Sequence, residues 1–177
     1  MEIYDFLTKK EIGKHFGEIW LNTLSFFDIK NSSNKYDIFL SSIEENRAKT
    51  FSKSIKSKIK IGINLEGSFK EKQIRPDDLE KICLSIKQKF QEITIVILSH
   101  PNRREKTKKM ISQMDLEDVM ISYDTKNILE LAALINELDF IISPDTSIVH
   151  IASAFNKPIL SIHENNQLSY SQWKPLS

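Results

Sequence analysis

A single cysteine, Cys83, excludes an intramolecular disulfide and any multi-cysteine metal centre. Its neighbours place it on the apolar face of a helix, as a core residue. Glycine is scarce, with four in 177 residues. Neither a GxGxxG dinucleotide fingerprint nor a GxxxxGK[ST] phosphate loop occurs. The histidines are scattered, with no HxH, HExxH or Cys/His cluster, so no metal site is expected. A GxSxG nucleophile elbow is missing as well. Lys and Arg number 25 against 24 Asp and Glu, a net charge of +1, and this balance argues against a polyanion-binding protein led by bulk charge. No sheet face combines aromatic and basic residues as RNA binding would require, so no nucleic-acid partner is expected. No stretch approaches the ~20 apolar residues of a membrane span. The start, Met1-Glu2-Ile3-Tyr4-Asp5, carries acids where a signal peptide carries bases, which makes the cytoplasm the expected compartment.

What the chain does have is a change of pattern near residue 58. Before it, residues 9–27 suit one helix, with Ile12, Phe16, Ile19, Trp20 and Leu24 at three- and four-residue spacings. Tyr36 to Leu40 suits a short strand, and 42–56 a helix ending in a lysine-rich, solvated run. Beyond it, strands alternate with helices. Lys60–Leu65, Ile93–Leu98, Asp118–Ser122, Phe140–Ser143 and Ile159–Ile162 are predicted strands. Helices are predicted from Pro76, Asn102, Asn127 and Thr146. The continuous apolar run at 93–98 marks a strand covered on both faces. The implied fold is α/β, a parallel sheet of about five strands with helices on both faces. Residues 1–57 form a helical extension and 58–177 the sheet domain. Ligands of such sheets sit at the carboxyl ends of the strands, which directs attention to the loops that follow them.

Three of those loops carry candidate chemistry. Ser143-Pro144-Asp145-Thr146-Ser147-Ile148-Val149-His150 joins the fourth strand to a helix N-terminus, where free N–H groups and the dipole attract anions. The same residues make an ordinary N-cap, with His150 packed one turn above. Leu65-Glu66-Gly67-Ser68-Phe69-Lys70-Glu71-Lys72 follows the first strand. Gly67 permits a tight turn, and Lys70 or Lys72 offers a point charge to a phosphate. His100-Pro101-Asn102-Arg103-Arg104-Glu105 follows the second. Glu105 either holds a ribose hydroxyl or pairs with Lys109 one helical turn on.

Taken in order, these segments resemble the C-terminal half of glycosyltransferase family 9, the ADP-heptose:lipopolysaccharide heptosyltransferases. The best match is Ile128–Ile162, ILELAALINELDFIISPDTSIVHIASAFNKPILSI. It is similar to the family's Leu/Ala-rich helix, strand, Asp-Thr/Ser-Gly-x-x-His motif, small-residue helix and Lys-Pro start of the last strand. Ile61-Gly62-Ile63-Asn64, followed by Lys72 and a Pro76-led helix, resembles the family's first strand and Lys-x-Trp loop.

The resemblance implies the Rossmann-like C-terminal domain of a GT-B fold and an inverting, metal-independent sugar transfer with no cofactor. It implies a nucleotide-sugar donor, ADP-heptose being the family's commonest, and a glycan or lipopolysaccharide-core acceptor. Lys72 would contact the donor phosphates. Asp145, Thr146 and Ser147 would bind diphosphate and sugar, His150 would complete that wall, and Glu105 would be the ribose-binding acid. Ser147 stands where the family has Gly, and Ile74 replaces the Trp of Lys-x-Trp. Glu164-Asn165-Asn166 replaces Gly-Pro-Thr, and an acid there would repel a phosphate. Trp173-Lys174-Pro175 resembles a Trp-Gly-Pro run. Family members carry an N-terminal acceptor domain that supplies the catalytic carboxylate. Residues 1–57 are too short for it and are expected to be its remnant and linker, in a truncated or split enzyme working at most peripherally at the inner membrane face. Asp5 lacks the strand-turn context of that base. Phe6, Phe16, Trp20 and Phe27 are expected to leave an apolar patch suited to a homodimer or partner subunit. The alternative is a non-catalytic nucleotide-binding or interaction module on the same scaffold.

Overall fold

The computed structural model describes residues 13–30, 33, 35–67, 69 and 72–175. Five parallel strands run β1 (Ile59–Asn64), β2 (Ile93–Leu98), β3 (Val119–Ile121), β4 (Phe140–Pro144) and β5 (Ile159–Ile162). Their order across the sheet is β3-β2-β1-β4-β5. The chain therefore starts at the centre, builds outward on one side, and crosses back to build the other. The order reverses between β1 and β4, which is where the crevice for a ligand opens in sheets of this kind.

Composition sets the strand positions. All six residues of β2 are buried, and β1 is buried over its last four, as expected of interior strands. At the edge, β5 alternates between half-buried and exposed. Alternate β2 residues feed opposite faces. Ile95 and Ile97 pack with Leu79 and Cys83 of α3 (Pro76–Lys89), and with Met110 and Ile111 of α4 (Arg104–Met114). Val96 and Leu98 pack with Ala132, Leu134 and Ile135 of α5 (Ile128–Asn136), and with Ile148, Ile151 and Ala152 of α6 (Ser147–Ala154). Phe51 of α2 (Ser42–Ser54) closes that second layer. Gly62 belongs at the centre of β1 because a Cβ there would come within 2.6 Å of the Leu138 side chain.

Local signals explain the helix ends. Pro76 opens α3 with Asp77 and Asp78 in its first turn, where the dipole favours acids. Ser41 and Glu44 form a capping box on α2. Asn127 caps α5, its side chain accepting from the Glu130 N–H.

The amino-terminal part departs from its sequence pattern. In place of one helix over 9–27 there is α1 (Phe16–Leu21) followed by a 3₁₀ turn, Asn22–Phe27; residues 9–12 lie outside the described part. Spacings of three and four serve both helix types, so the apolar positions do not separate them. Tyr36–Leu40 is not a strand. It keeps a two-residue alternation, with Ile38 and Leu40 packed on the core and Phe39 exposed, yet it pairs with no strand. A further helix, α7 (Gln167–Trp173), follows β5. Of the apolar patch, Phe6 lies outside the described residues. Trp20 and Phe27 are exposed, but Phe16 stacks on Trp173 at 4.5 Å. Among the described residues, no helix is long and apolar enough to cross a membrane.

Candidate functional site

The loops after β1, β2, β3 and β4 surround a cleft of about 590 Å³ at the switch point of the sheet. Asn64, Glu66 and Gly67 form one wall, and Ser99, His100 and Pro101 a second. Leu98, Ile128, Leu131 and Ile148 supply apolar surface. Two helix N-termini open into this space, that of α5 at Asn127 and Ile128 and that of α6 at Thr146, Ser147 and Ile148. Each end carries partial positive charge and N–H groups without intrahelical partners. Lys126 adds a full positive charge beside α5.

A buried polar network sets the shape of the cleft floor. Asn64, the last residue of β1, is 4% exposed. Its amide nitrogen donates to the Glu66 carbonyl at 2.8 Å, the Ser143 hydroxyl at 3.0 Å and the Thr146 hydroxyl at 3.3 Å. Its oxygen accepts from the Glu66 N–H, which fixes the turn leaving β1. Thr146 is the N-cap of α6, its hydroxyl accepting from the Ile148 N–H. One side chain thus ties the β1 turn to the start of α6.

Next to this floor lies a charged cluster. Lys72 Nζ is 3.4 Å from Asp145 Oδ2 and 3.9 Å from Glu164 Oε1. Asp145 also faces His163 Nδ1 at 4.0 Å, and the far nitrogen of His163 lies 3.0 Å from the Ser161 hydroxyl. Lys72 reaches this position because Gly67 has no side chain. A Cβ on Gly67 would fall 2.4 Å from Lys72 Cβ and 2.5 Å from its carbonyl oxygen. The requirement at Gly67 is close approach of two backbones.

The other predicted residues divide. Thr146 and Ser147 line the cleft, and Asp145 and Lys72 stand beside it. Lys70, the alternative cation, lies outside the described residues. His150 packs edge-on against Tyr36 at 5.7 Å and Trp173 at 6.2 Å. Burial holds its imidazole below the usual value, partly opposed by Asp145. Glu105 points away on α4, exposed and paired with Lys108 at 2.7 Å; the Lys109 pairing is not formed. That Lys108 contact lowers its carboxyl below the usual range. The acid in the cleft is Glu66, with Arg103 at 3.8 Å. In the sequence Glu66 stands out only as part of a loop, and Asn64 and His163 carry no motif of their own. The signal was present in their positions, each at or just after the carboxyl end of a strand. Among the described residues, no group of three His, Cys, Asp or Glu side chains is placed to hold a metal ion.

The fold and the sequence have counterparts. The sequence profile of glycosyltransferase family 9 (heptosyltransferase) matches residues 9–177. A protein of Escherichia coli (strain K12), provisionally named lipopolysaccharide heptosyltransferase 4, is 27% identical over 147 residues, covering 81% of this chain and 38% of that protein. The crystal structure of a family 9 glycosyl transferase from Veillonella parvula DSM 2008 superposes with a TM-score of 0.81 at 18% identity, over 97% of this chain and 49% of that one. Escherichia coli ADP-heptose lps heptosyltransferase II gives 0.66 at 14% identity, over 84% and 45%. E. coli heptosyltransferase WaaC with ADP gives 0.63 at 12% identity, over 96% and 51%. The chain spans about half the length of these solved structures, and less of the curated relative.

Proposed function

The chain belongs to glycosyltransferase family 9, and from that premise we propose that it forms the donor-binding half of a sugar-nucleotide glycosyltransferase. The observation that carries this is the opening of two helix N-termini into one cleft at the switch point of the sheet, with Lys72 held against Asp145, the residue before the N-cap of α6. A nucleoside fits the apolar surface of Leu98, Ile128 and Ile148, with Glu66 accepting ribose hydroxyls. The diphosphate lies along the start of α6, between the Ser147 end of the helix and Lys72. Asp145 orients Lys72 and faces the sugar, and His150 backs this wall from within α6. ADP-heptose is the donor suggested by the names of the relatives, and a lipopolysaccharide-type glycan is the corresponding acceptor.

The chemistry follows from charge. When the bond from anomeric carbon to oxygen breaks, the electron pair stays on the diphosphate. A preformed cation and helix dipole aimed at that oxygen stabilise it more than they stabilise the bound donor. No step in this account asks these residues to take the acceptor proton. A carboxylate in an acceptor-binding half, carried on the same polypeptide or a second one, has that task.

The test is calorimetric titration with ADP, UDP, GDP and an ADP-sugar, repeated on Lys72→Ala and Asp145→Ala. The reading expects saturable binding of one nucleotide, weakened in both variants, by about tenfold or more for Lys72→Ala. Lack of binding at millimolar ligand would remove the reading. A second reading, a nucleotide-binding module without transfer, is favoured by the carboxylate of Glu164 beside Lys72. Glycosyl transfer in the presence of an acceptor half would dismiss it.

A further inference from the structure

Lys72 shares one ammonium between two carboxylates, and the two are not equivalent. Asp145 has a second basic neighbour in His163 and is 14% exposed. Glu164 is 58% exposed, on the connection between β5 and α7, and its Oε1 sits 3.9 Å from Lys72 Nζ. The group of Lys72, Asp145 and Glu164 carries one net negative charge. A diphosphate placed against Lys72 therefore brings its own charge next to Glu164.

The size of that conflict depends on what the diphosphate is attached to. In a nucleoside diphosphate sugar both phosphates are esterified on each side, and each holds a single negative charge. Once the sugar has left, the outer phosphate is a terminal group with roughly 1.5 to 2 negative charges near neutral pH. The added charge appears at the end of the diphosphate that held the sugar. In the proposed pose this is the end nearest Lys72 and Glu164.

We propose that Glu164 is a specificity-determining residue that lowers the affinity for the free nucleoside diphosphate more than that for the intact nucleoside diphosphate sugar, offsetting part of the hold of Lys72 and the start of α6 on the spent donor and so promoting its release. The inference rests on the donor-site reading above. Like charges placed together act through discrimination: they cost the wrong ligand more than the right one. The repulsion scales with the charge on the facing phosphate, so the same carboxylate costs the terminal phosphate more than the singly charged ester.

Glu164→Gln keeps the size and the hydrogen-bonding capacity and deletes the charge. The experiment is titration of wild type and Glu164→Gln with the matched pairs ADP and ADP-glucose, and UDP and UDP-glucose, at fixed ionic strength. The free diphosphate should bind the variant about three- to fivefold more tightly than wild type, and the sugar ester less than about twofold more tightly. The gap should shrink as salt is raised. An equal gain for both members of a pair, or no gain for either, overturns the role of Glu164 while leaving the donor site standing. Failure of all four ligands to bind either protein overturns the donor site and the proposal together. A purely structural role for Glu164 would move both affinities alike.

Discussion

Replacing Gly67 by alanine should disable the cleft by displacing Lys72. The added Cβ would lie 2.4 Å from Lys72 Cβ, 2.5 Å from the Lys72 carbonyl oxygen and 2.7 Å from its carbonyl carbon. Two of these atoms are backbone, so no side-chain rotation relieves the clash. Restoring ordinary contact requires Gly67 and Lys72 to move apart by about 1 Å. Lys72 Nζ already stands at 3.4 Å from Asp145, near the outer limit of a hydrogen bond. The shift breaks that pair and withdraws the ammonium from the diphosphate. A hydrogen bond to a charged group contributes about 1.5–3 kcal/mol, so nucleotide affinity should fall about ten- to hundredfold. Global stability should change little, by about 1 kcal/mol and about 2–4 °C in Tm, because neither Gly67 nor Lys72 belongs to an apolar cluster. A double-mutant cycle separates the causes. If Gly67 acts through Lys72, Gly67→Ala on a Lys72→Ala background should cost almost nothing further, whereas independent effects would add. Wild-type affinity in Gly67→Ala, or additivity in the cycle, would refute the reasoning.

Two further predictions concern buried groups. His15 and His150 both titrate below the ordinary histidine value of 6.5, with burial as the leading cause in each. The unfolded chain then binds more protons than the fold, so the stabilisation is complete above about pH 6.5 and is lost as the pH falls toward the folded values. His15 makes the reason concrete: its Nδ1 accepts the Gly17 N–H that caps α1, and protonation would end that bond. Urea midpoints should fall from pH 7.5 to pH 5, and His150→Phe should flatten the slope; an unchanged slope would contradict the assignment. Cys83 is fully buried and its thiol is pushed up to about 11, so a thiol reagent at pH 8 should label it only on unfolding. Rapid labelling of the native protein would show that α3 opens locally.

Sequence legibility followed the physics of each element. Ile93–Leu98 and the α3 stripe were readable because burial on two faces, or along one helix face, leaves a periodic imprint. The helix α7 left none: its seven residues, QLSYSQW, bury only Gln172. Only its Asn166 cap was a usable sign. Glu105 is exposed on α4, outside the cleft, because α4 starts at Arg104, two residues after the predicted start at Asn102, and each residue turns a side chain through about 100°. The 3₁₀ segment Pro101–Arg103 before α4 set the register that turned it outward.

The site itself was legible only in pieces, for a reason that the strand order supplies. Asn64 and Thr146 are 82 residues apart and share a hydrogen bond. Lys72 and Asp145 are 73 apart and share another. Nothing local to either partner announces the other. What joins them is that β1 and β4 are neighbours, paired from Ile61 with Phe140 to Ile63 with Ile142, although two strands separate them in the chain. A sequence that alternates strand and helix fixes that each loop lies at a carboxyl end. It does not fix which two loops face each other until the crossover from β3 to β4 is placed. Once β4 lies beside β1, the Gly67 turn and the Pro144–Thr146 turn are opposed, and Lys72 comes against Asp145 next to the start of α6. The crossover is therefore the structural event that turns two ordinary loops, a solvated turn and a capped helix, into one charged cleft.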